Sequence, residues 1–165
     1  MKKFLALAIL CLMMSLSLTP ALAEAAVVET LYDGVWVQFE DGFELYLPAN
    51  WVQFECSEEM LANGIFYMAG TEDQSYLCTL AWMELAGDLT IAQLQETLAA
   101  TYETAEVIEV NDVGLVMFAD VENSSLCFAA LDGTEPGCYL FTFTPMDDED
   151  FATVAALIAS SIRNL

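Results

Sequence analysis

The sequence predicts an α+β fold in which a mainly antiparallel sheet packs against two helices. Strand-like runs of apolar residues, many alternating with polar ones, occupy most of the chain after residue 30. Two other segments repeat apolar residues at helical spacing, one in the middle of the chain and one at its end. The resulting order of strands, helix, strands and helix is typical of α+β domains, because it lacks the regular alternation of a parallel sheet.

The first strands are predicted at residues 31–39 and 43–47, on either side of Asp41-Gly42. Asp-Gly between apolar runs is a strong signal for a two-residue hairpin turn. That turn would place Trp36 opposite Leu47. It would also put four apolar residues on the core-facing side of the hairpin: Trp36, Phe43, Leu45 and Leu47.

Pro48 ends the second strand, and a short third strand is predicted at residues 51–54. One helical turn should then follow Ser57, which is a favourable N-cap residue. The remaining strands are predicted at residues 65–69, 75–85, 106–110, 115–121, 125–131 and 138–144.

Two longer helices are predicted from their caps and apolar stripes. Thr90 and Gln93 fit a capping box. The helix after them has a stripe formed by Ile91, Leu94, Leu98 and Tyr102. The last helix is predicted over residues 148–162, and its stripe comprises Phe151, Val154, Leu157, Ile158 and Ile162.

Residues 1–23 have the pattern of a secretory signal peptide. Lys2 and Lys3 precede an apolar segment, and Ala21-Leu22-Ala23 forms a cleavage site. The alternative is a retained membrane anchor, but the apolar segment is shorter than the ~20 residues needed to span a bilayer. We therefore expect a secreted or extracytoplasmic protein, with a disordered lead at residues 24–30 and one α+β domain at residues 31–165.

The charge balance excludes several classes of function. The chain contains 26 acidic residues, 3 basic residues and no His, so its net charge is −23. Cleavage of the signal peptide would leave Arg163 as the one basic residue. Such a surface repels nucleic acid and anionic lipid headgroups, so we expect no nucleic-acid partner and no membrane contact after cleavage. A protein or peptide with positive charge is the expected partner.

Four cysteines follow the predicted signal peptide: Cys56, Cys78, Cys127 and Cys138. Export permits disulfides, and a predicted turn between Cys127 and Cys138 favours that pair, with Cys56 bonded to Cys78. The alternative is four buried free thiols. A four-cysteine zinc site is disfavoured because no two cysteines have the close spacing of a zinc knuckle.

Three kinds of site can be considered. Exposed aromatic side chains could bind a ligand, and the candidates are Trp36, Tyr46, Trp51 and Trp82. Consecutive carboxylates could bind calcium, namely Asp147, Asp148, Glu149 and Asp150, although an N-cap with solvated acids explains them better. A pair of acids could support hydrolysis, and the candidates are Glu40, Glu44, Glu84 and Glu109. We expect no cofactor.

The run from Gly42 to Trp51 ends in Leu-Pro-Ala-Asn-Trp and resembles the opening strand-Leu-Pro-x-x-Trp motif of the PsbP-like family. The helix after Thr90 and the closing helix after Phe141-Thr142-Phe143 also fit the order of elements in that family. The resemblance covers most of residues 40–165. It implies the fold and, by analogy, a non-enzymatic accessory or binding role. It assigns no functional residue, because members of this family share a scaffold and no common site.

The sequence therefore favours an exported, highly acidic, non-catalytic accessory or interaction module. The first alternative is a carbohydrate or small-ligand binder that uses exposed aromatic side chains. The second is a carboxylate-dependent hydrolase, since that chemistry requires no histidine.

Overall fold

The computed structural model describes residues 31–40 and 42–164. The strands in these ranges are β1 (Gly34–Gln38), β2 (Phe43–Pro48), β3 (Val52–Phe54), β4 (Ile65–Gly70), β5 (Leu77–Glu84), β6 (Ala105–Val110), β7 (Val113–Asp120), β8 (Ser125–Leu131), β9 (Gly137–Thr144) and β10 (Arg163–Asn164). The helices are α1 (Glu58–Ala62), α2 (Ile91–Ala99) and α3 (Glu149–Ser160). The predicted α+β fold with mainly antiparallel pairing is confirmed.

The strands form two sheets with antiparallel pairing throughout. The large sheet has seven strands in the order β3-β4-β5-β9-β8-β7-β6, and the small sheet has three in the order β1-β2-β10. Because β10 pairs with β2, the end of the chain lies beside one of its first strands.

Each face of the large sheet is covered by a different layer. On one face, α3 and the small sheet bury a core that includes Leu45, Phe128, Phe141 and Ile158. On the other face, α2 places Leu94 against a smaller core from β7, β8 and β9. The central strands of the large sheet are therefore buried on both sides, which is why their sequences are apolar at nearly every position.

The predicted register of the first hairpin is wrong by one residue. Trp36 pairs with Tyr46, and Phe39 donates its backbone N–H to the carbonyl of Phe43. The connection therefore has three residues, and Gly42 adopts φ = +88°, a conformation typical of the last position in such a loop. A shift of one residue moves a side chain to the other face of a strand, so Trp36 lies on the outer face with Tyr46.

The helix caps agree with the sequence, but the buried face of α3 differs from its predicted stripe. Ser57, Thr90 and Asp148 cap α1, α2 and α3, and Thr90 forms the full capping box with Gln93. The buried positions of α3 are mostly small: Phe151, Ala152, Ala155, Ala156, Ile158, Ala159 and Ser160. Val154 and Leu157 of the predicted stripe are only half-buried, because the helix packs closely through alanines that a search for large apolar residues overlooks.

The structure pairs none of the four cysteines, contrary to the favoured prediction. Pairing of β8 with β9 continues to Leu131, so Cys127 lies opposite Thr142 and Cys138 lies opposite Leu131. Four strand residues separate the two positions by about 13 Å, well beyond the ~7 Å that a disulfide can span. Burial raises the pKa values of Cys78 and Cys127, which keeps both thiols protonated and unreactive.

The predicted signal peptide at residues 1–23 and the predicted lead at residues 24–30 lie outside the described residues. Among the helices that are described, none has the length and apolar character required to cross a membrane.

Candidate functional site

Arg163, the one basic residue after Lys3, is bound on the outer face of the small sheet. Its guanidinium forms an ion pair with Glu44 at 2.5 Å and lies 3.7 Å from the centre of the Trp36 ring. The other carboxylate oxygen of Glu44 accepts a hydrogen bond from Gln38 at 3.1 Å. We call these four residues the Arg163 cluster. It joins β1, β2 and β10 through side chains.

Glu44 in this cluster is almost fully buried, with 4% of its surface exposed. A buried carboxylate without a counter-charge is costly, so Arg163 stabilises the small sheet by pairing with it. As a consequence, the one base of residues 4–165 is already bound within the protein.

A groove of about 520 Å³ opens where the loop before β1, the β2–β3 loop, the β4–β5 loop and the start of α3 meet. Its aromatic lining comes from Tyr32, Trp51, Tyr76 and Phe151. We call it the aromatic groove. Residues 48–51, the Pro-Ala-Asn-Trp part of the motif noted in the sequence, all contribute to its wall.

The aromatic side chains at the floor of the groove contact one another. The rings of Tyr76 and Phe151 are stacked with centroids 4.6 Å apart, and Trp51 lies 6.2 Å from Phe151. Tyr76 also donates a hydrogen bond to the N-cap residue Asp148 at 2.8 Å. The hydroxyl of Tyr32, at the rim, donates to the Tyr46 carbonyl. Stacking and hydrogen bonds therefore fix the orientation of these aromatic side chains.

The charges in this lining are all negative. Asp33 and Asp150 line the groove, and within the described residues their carboxylates form no hydrogen bond or ion pair. The hydrogen bond to Asp148 raises the pKa of Tyr76, assisted by burial and by the charges of Asp150 and Asp73. Hydrogen bonds from Thr71 and Ser75 lower the pKa of Asp73 to about 2, so this acid stays ionised. An aromatic surface with two carboxylates in its lining is suited to a cation that has flat or apolar parts.

The four aromatic residues proposed from the sequence lie in three places. Trp36 and Tyr46 lie together, with ring centroids 5.1 Å apart, next to Arg163. Trp51 lies in the aromatic groove. Trp82 lies on β5 and donates its indole N–H to Asp132 at 3.0 Å. All three tryptophans are half-buried, so a role for each in ligand contact stays a prediction.

The acids at residues 147–150 have separate contacts. Asp147 accepts a hydrogen bond from Ser124, and Asp148 caps α3 by accepting from the N–H of Phe151. That hydrogen bond and the one from Tyr76 lower the pKa of Asp148. The described part of the chain contains no group of three or more His, Cys, Asp or Glu side chains arranged to hold a metal ion. Asp148 is therefore the N-cap of α3, and a metal role for the four acids stays a prediction.

Of the four acids considered for hydrolysis, Glu40 is exposed in the turn after β1, and the other three lie on different strands. Glu44 is bound to Arg163 in the small sheet. Glu84 ends β5, and Glu109 lies on β6 at the far edge of the large sheet. The structure does not bring these three acids to one place.

Sequence reasoning missed Tyr32, Tyr76 and Phe151 as members of the groove. Phe151 was assigned to the core stripe of the last helix, and it does contact the core. No local pattern distinguishes an aromatic residue that also faces a groove. The motif at residues 47–51 was the one local signal near this place.

Together these elements define an α+β protein in which a seven-stranded antiparallel sheet lies between one helix and a second layer of helix and small sheet. This is the PsbP-like fold. The solution structure of cyanobacterial PsbP (CyanoP) from Synechocystis sp. PCC 6803 matches with a TM-score of 0.55 and 13% identity, covering 78% of this chain and 89% of that one. A crystal structure from Bacteroides thetaiotaomicron matches with a TM-score of 0.53 and 14% identity, covering 80% of this chain and 48% of the other.

The predicted resemblance is therefore confirmed at the level of the fold. No protein-family model matches the sequence, and no curated protein does. At such low identity the similarity transfers no activity or partner.

Proposed function

We propose that this protein is an exported, non-catalytic accessory or interaction module that binds a positively charged protein or peptide. The observation that supports this best is the binding of Arg163 by Glu44 and Trp36. Because no other base follows residue 3, the remaining acids have no partner base within residues 4–165. A field of one sign attracts partners of the opposite sign and accelerates their association.

The test is the salt dependence of binding to a cationic probe. Protein recovered after expression of the full chain is titrated into a labelled peptide of alternating Gly and Arg. The affinity should fall at least tenfold between about 50 and about 500 mM NaCl, because salt screens exposed charges. The matched peptide of alternating Gly and Glu should not bind. Absence of binding to the Arg peptide, or binding that salt leaves unchanged, would contradict the proposal.

The non-catalytic part of the proposal rests on the residues available. The chain has no His, and its two lysines are at positions 2 and 3, so imidazole and Schiff-base chemistry are absent from residues 4–165. A glycosidase-type mechanism requires two acids about 5–10 Å apart in one cleft. The separate locations of Glu44, Glu84 and Glu109 disfavour that mechanism.

The extracytoplasmic location is proposed from the signal-peptide pattern of residues 1–23. The intact mass of the protein recovered from an export-competent bacterium should correspond to a chain that begins at Glu24. A mass that includes Met1 would contradict cleavage at Ala23.

A second candidate function, the binding of a carbohydrate or small neutral ligand, is favoured by the aromatic groove. Aromatic faces next to the polar side chains of Asn50 and Thr71 are suited to sugar rings. Tryptophan fluorescence during titration with neutral oligosaccharides tests it. A saturable change that is independent of salt would support this function over the cationic partner.

A further inference from the structure

We infer that the aromatic groove is the place where an arginine side chain of the partner binds. This inference deepens the proposed function and rests on it. It assigns to the groove a ligand of defined chemistry, a guanidinium on a flexible apolar stem, presented by another molecule.

The protein already binds one arginine in the way we infer for the groove. In the Arg163 cluster, the guanidinium lies over Trp36 while the carboxylate of Glu44 accepts its hydrogen bond at 2.6 Å. A planar guanidinium combines stacking on an aromatic face with hydrogen bonding to a carboxylate, which a compact ammonium does less well.

The aromatic groove offers the same two kinds of group. Trp51 supplies an indole surface, and Asp33 and Asp150 supply carboxylates on the same lining. The two tryptophans also begin identical pentapeptides, Trp-Val-Gln-Phe-Glu, at residues 36–40 and 51–55. In the first copy the indole is covered by Arg163, whereas the second borders an open groove.

The size of the groove agrees with a peptide side chain. Its volume of about 520 Å³ lies inside the range of roughly 300–1,000 Å³ that is usual for small-ligand sites. The stacked rings of Tyr76 and Phe151 provide an apolar floor for the methylene groups of an arginine.

The arginine must come from another molecule. Arg163 forms an ion pair with Glu44, and the sequence contains no other arginine. Charge complementarity then selects the occupant, because the charged residues of the lining are both aspartates.

The experiment compares two double variants. Each removes two negative charges, and the two pairs lie near opposite ends of β5. Asp33→Asn with Asp150→Asn removes two carboxylates from the groove, near Tyr76 just before β5. Glu84→Gln with Asp88→Asn removes two exposed carboxylates at and after the other end of β5. The probe is the same labelled peptide of alternating Gly and Arg, and thermal unfolding verifies that both variants are folded.

We expect the groove variant to bind the peptide about tenfold more weakly than the unmodified protein, because it loses charge-assisted hydrogen bonds to the guanidinium. The control variant should lose less than about twofold, since it changes only the distant, screened field. Peptides with citrulline or lysine in place of arginine should bind the unmodified protein more weakly.

Equal weakening by both variants would overturn the groove assignment while leaving the proposed cationic partner intact. Equal affinity for the lysine or citrulline peptide would overturn the preference for arginine. No binding of the Arg peptide to the unmodified protein would overturn the proposed function itself, and the inference with it.

Discussion

The two Trp-Val-Gln-Phe-Glu segments have the same sequence and different surroundings. Trp36 lies in β1, under the guanidinium of Arg163. The same guanidinium pairs with the buried carboxylate of Glu44, so both groups are bound within the protein. Trp51 lies just before β3, beside an open groove with carboxylates that bind nothing in the described residues. The first site stabilises the fold, whereas the second is the one that we propose for a partner.

The floor of the groove should give the largest effect on stability. Phe151 is 2% exposed and contacts both Tyr76 and Trp51. Phe151→Ala should lower the free energy of unfolding by about 3 kcal/mol, because it leaves a cavity in the core as well as in the groove. Urea unfolding followed by circular dichroism measures this loss.

Val154→Ala is the matched control for Phe151→Ala, since Val154 lines the same groove but is only half-buried. It should cost about 1 kcal/mol. Equal losses for the two variants would show that Phe151 is not the structural base of the groove.

The Arg163 cluster should give the next largest effect. Arg163→Met leaves Glu44 buried without its counter-charge, and it should lower the free energy of unfolding by about 2 kcal/mol, less than for a fully buried pair because 37% of the arginine side chain is exposed. Arg163→Lys keeps the charge but not the planar stacking, so its loss should be smaller. If Arg163→Met were as stable as the unmodified protein, the structural role of this cluster would be refuted.

Removing charges from the aromatic groove should have little effect on stability, in contrast to the Arg163 cluster. Asp33→Asn with Asp150→Asn removes no hydrogen bond or ion pair within the described residues. The lost interaction of Asp150 with the dipole of α3 and the reduced repulsion between acids act in opposite directions, so the free energy of unfolding should change by less than about 1 kcal/mol. The same variant should weaken binding of the Arg peptide. A marked loss of stability would show that these carboxylates have a structural role that resembles that of Glu44.

The sequence predicted those features that depend on neighbouring residues. The approximate positions of β1 to β9, the capping box at Thr90 and a cap at the start of the last helix are correct, because each arises from side chains within a few positions. The short strand β10 was not predicted, because its pairing with β2 joins residues far apart in the chain. The hairpin register was wrong because Asp41-Gly42 fits a loop of two residues as well as one of three. The cysteine pairing was wrong because the extent of the β8–β9 ladder is set by long-range contacts.

The candidate site was only partly accessible to sequence reasoning. Trp36, Tyr46 and Trp51 were identified as aromatic candidates. The contact of Trp36 with Arg163 was missed because the predicted register turned Trp36 to the core side and because β10, which carries Arg163, was not predicted. Tyr32, Tyr76 and Phe151 come from distant parts of the chain and meet only in the folded protein. Their proximity depends on tertiary packing, which no local sequence pattern predicts.

Trp82 has a third kind of environment, next to Asp132. We expect this contact to make the smallest contribution to stability. Its indole N–H donates to Asp132. Burial would raise the pKa of Asp132, but hydrogen bonds from Thr134, Trp82 and Glu135 outweigh it and lower the pKa to about 2. A lowered pKa in the folded state means that this stabilisation is complete above about pH 4 and is lost as the pH falls towards 2.

Melting temperatures between about pH 5 and about pH 2 test this pH dependence. Asp132→Asn should lose less stability over that interval than the unmodified protein, because it has no proton to take up at this position. An identical fall in both proteins would exclude Asp132 as a source of the acid sensitivity.

The central claim is that Trp51 faces a site for an external arginine while Trp36 is already occupied. The most direct measurement is a ¹H–¹⁵N spectrum of the three indole N–H groups during titration with the Gly-Arg peptide, with each signal assigned by a Trp→Phe variant. We predict a saturable shift of the Trp51 signal, with the Trp36 and Trp82 signals unchanged. A shift of Trp36 in place of Trp51, or no shift of Trp51 under conditions where the peptide binds, would contradict the claim.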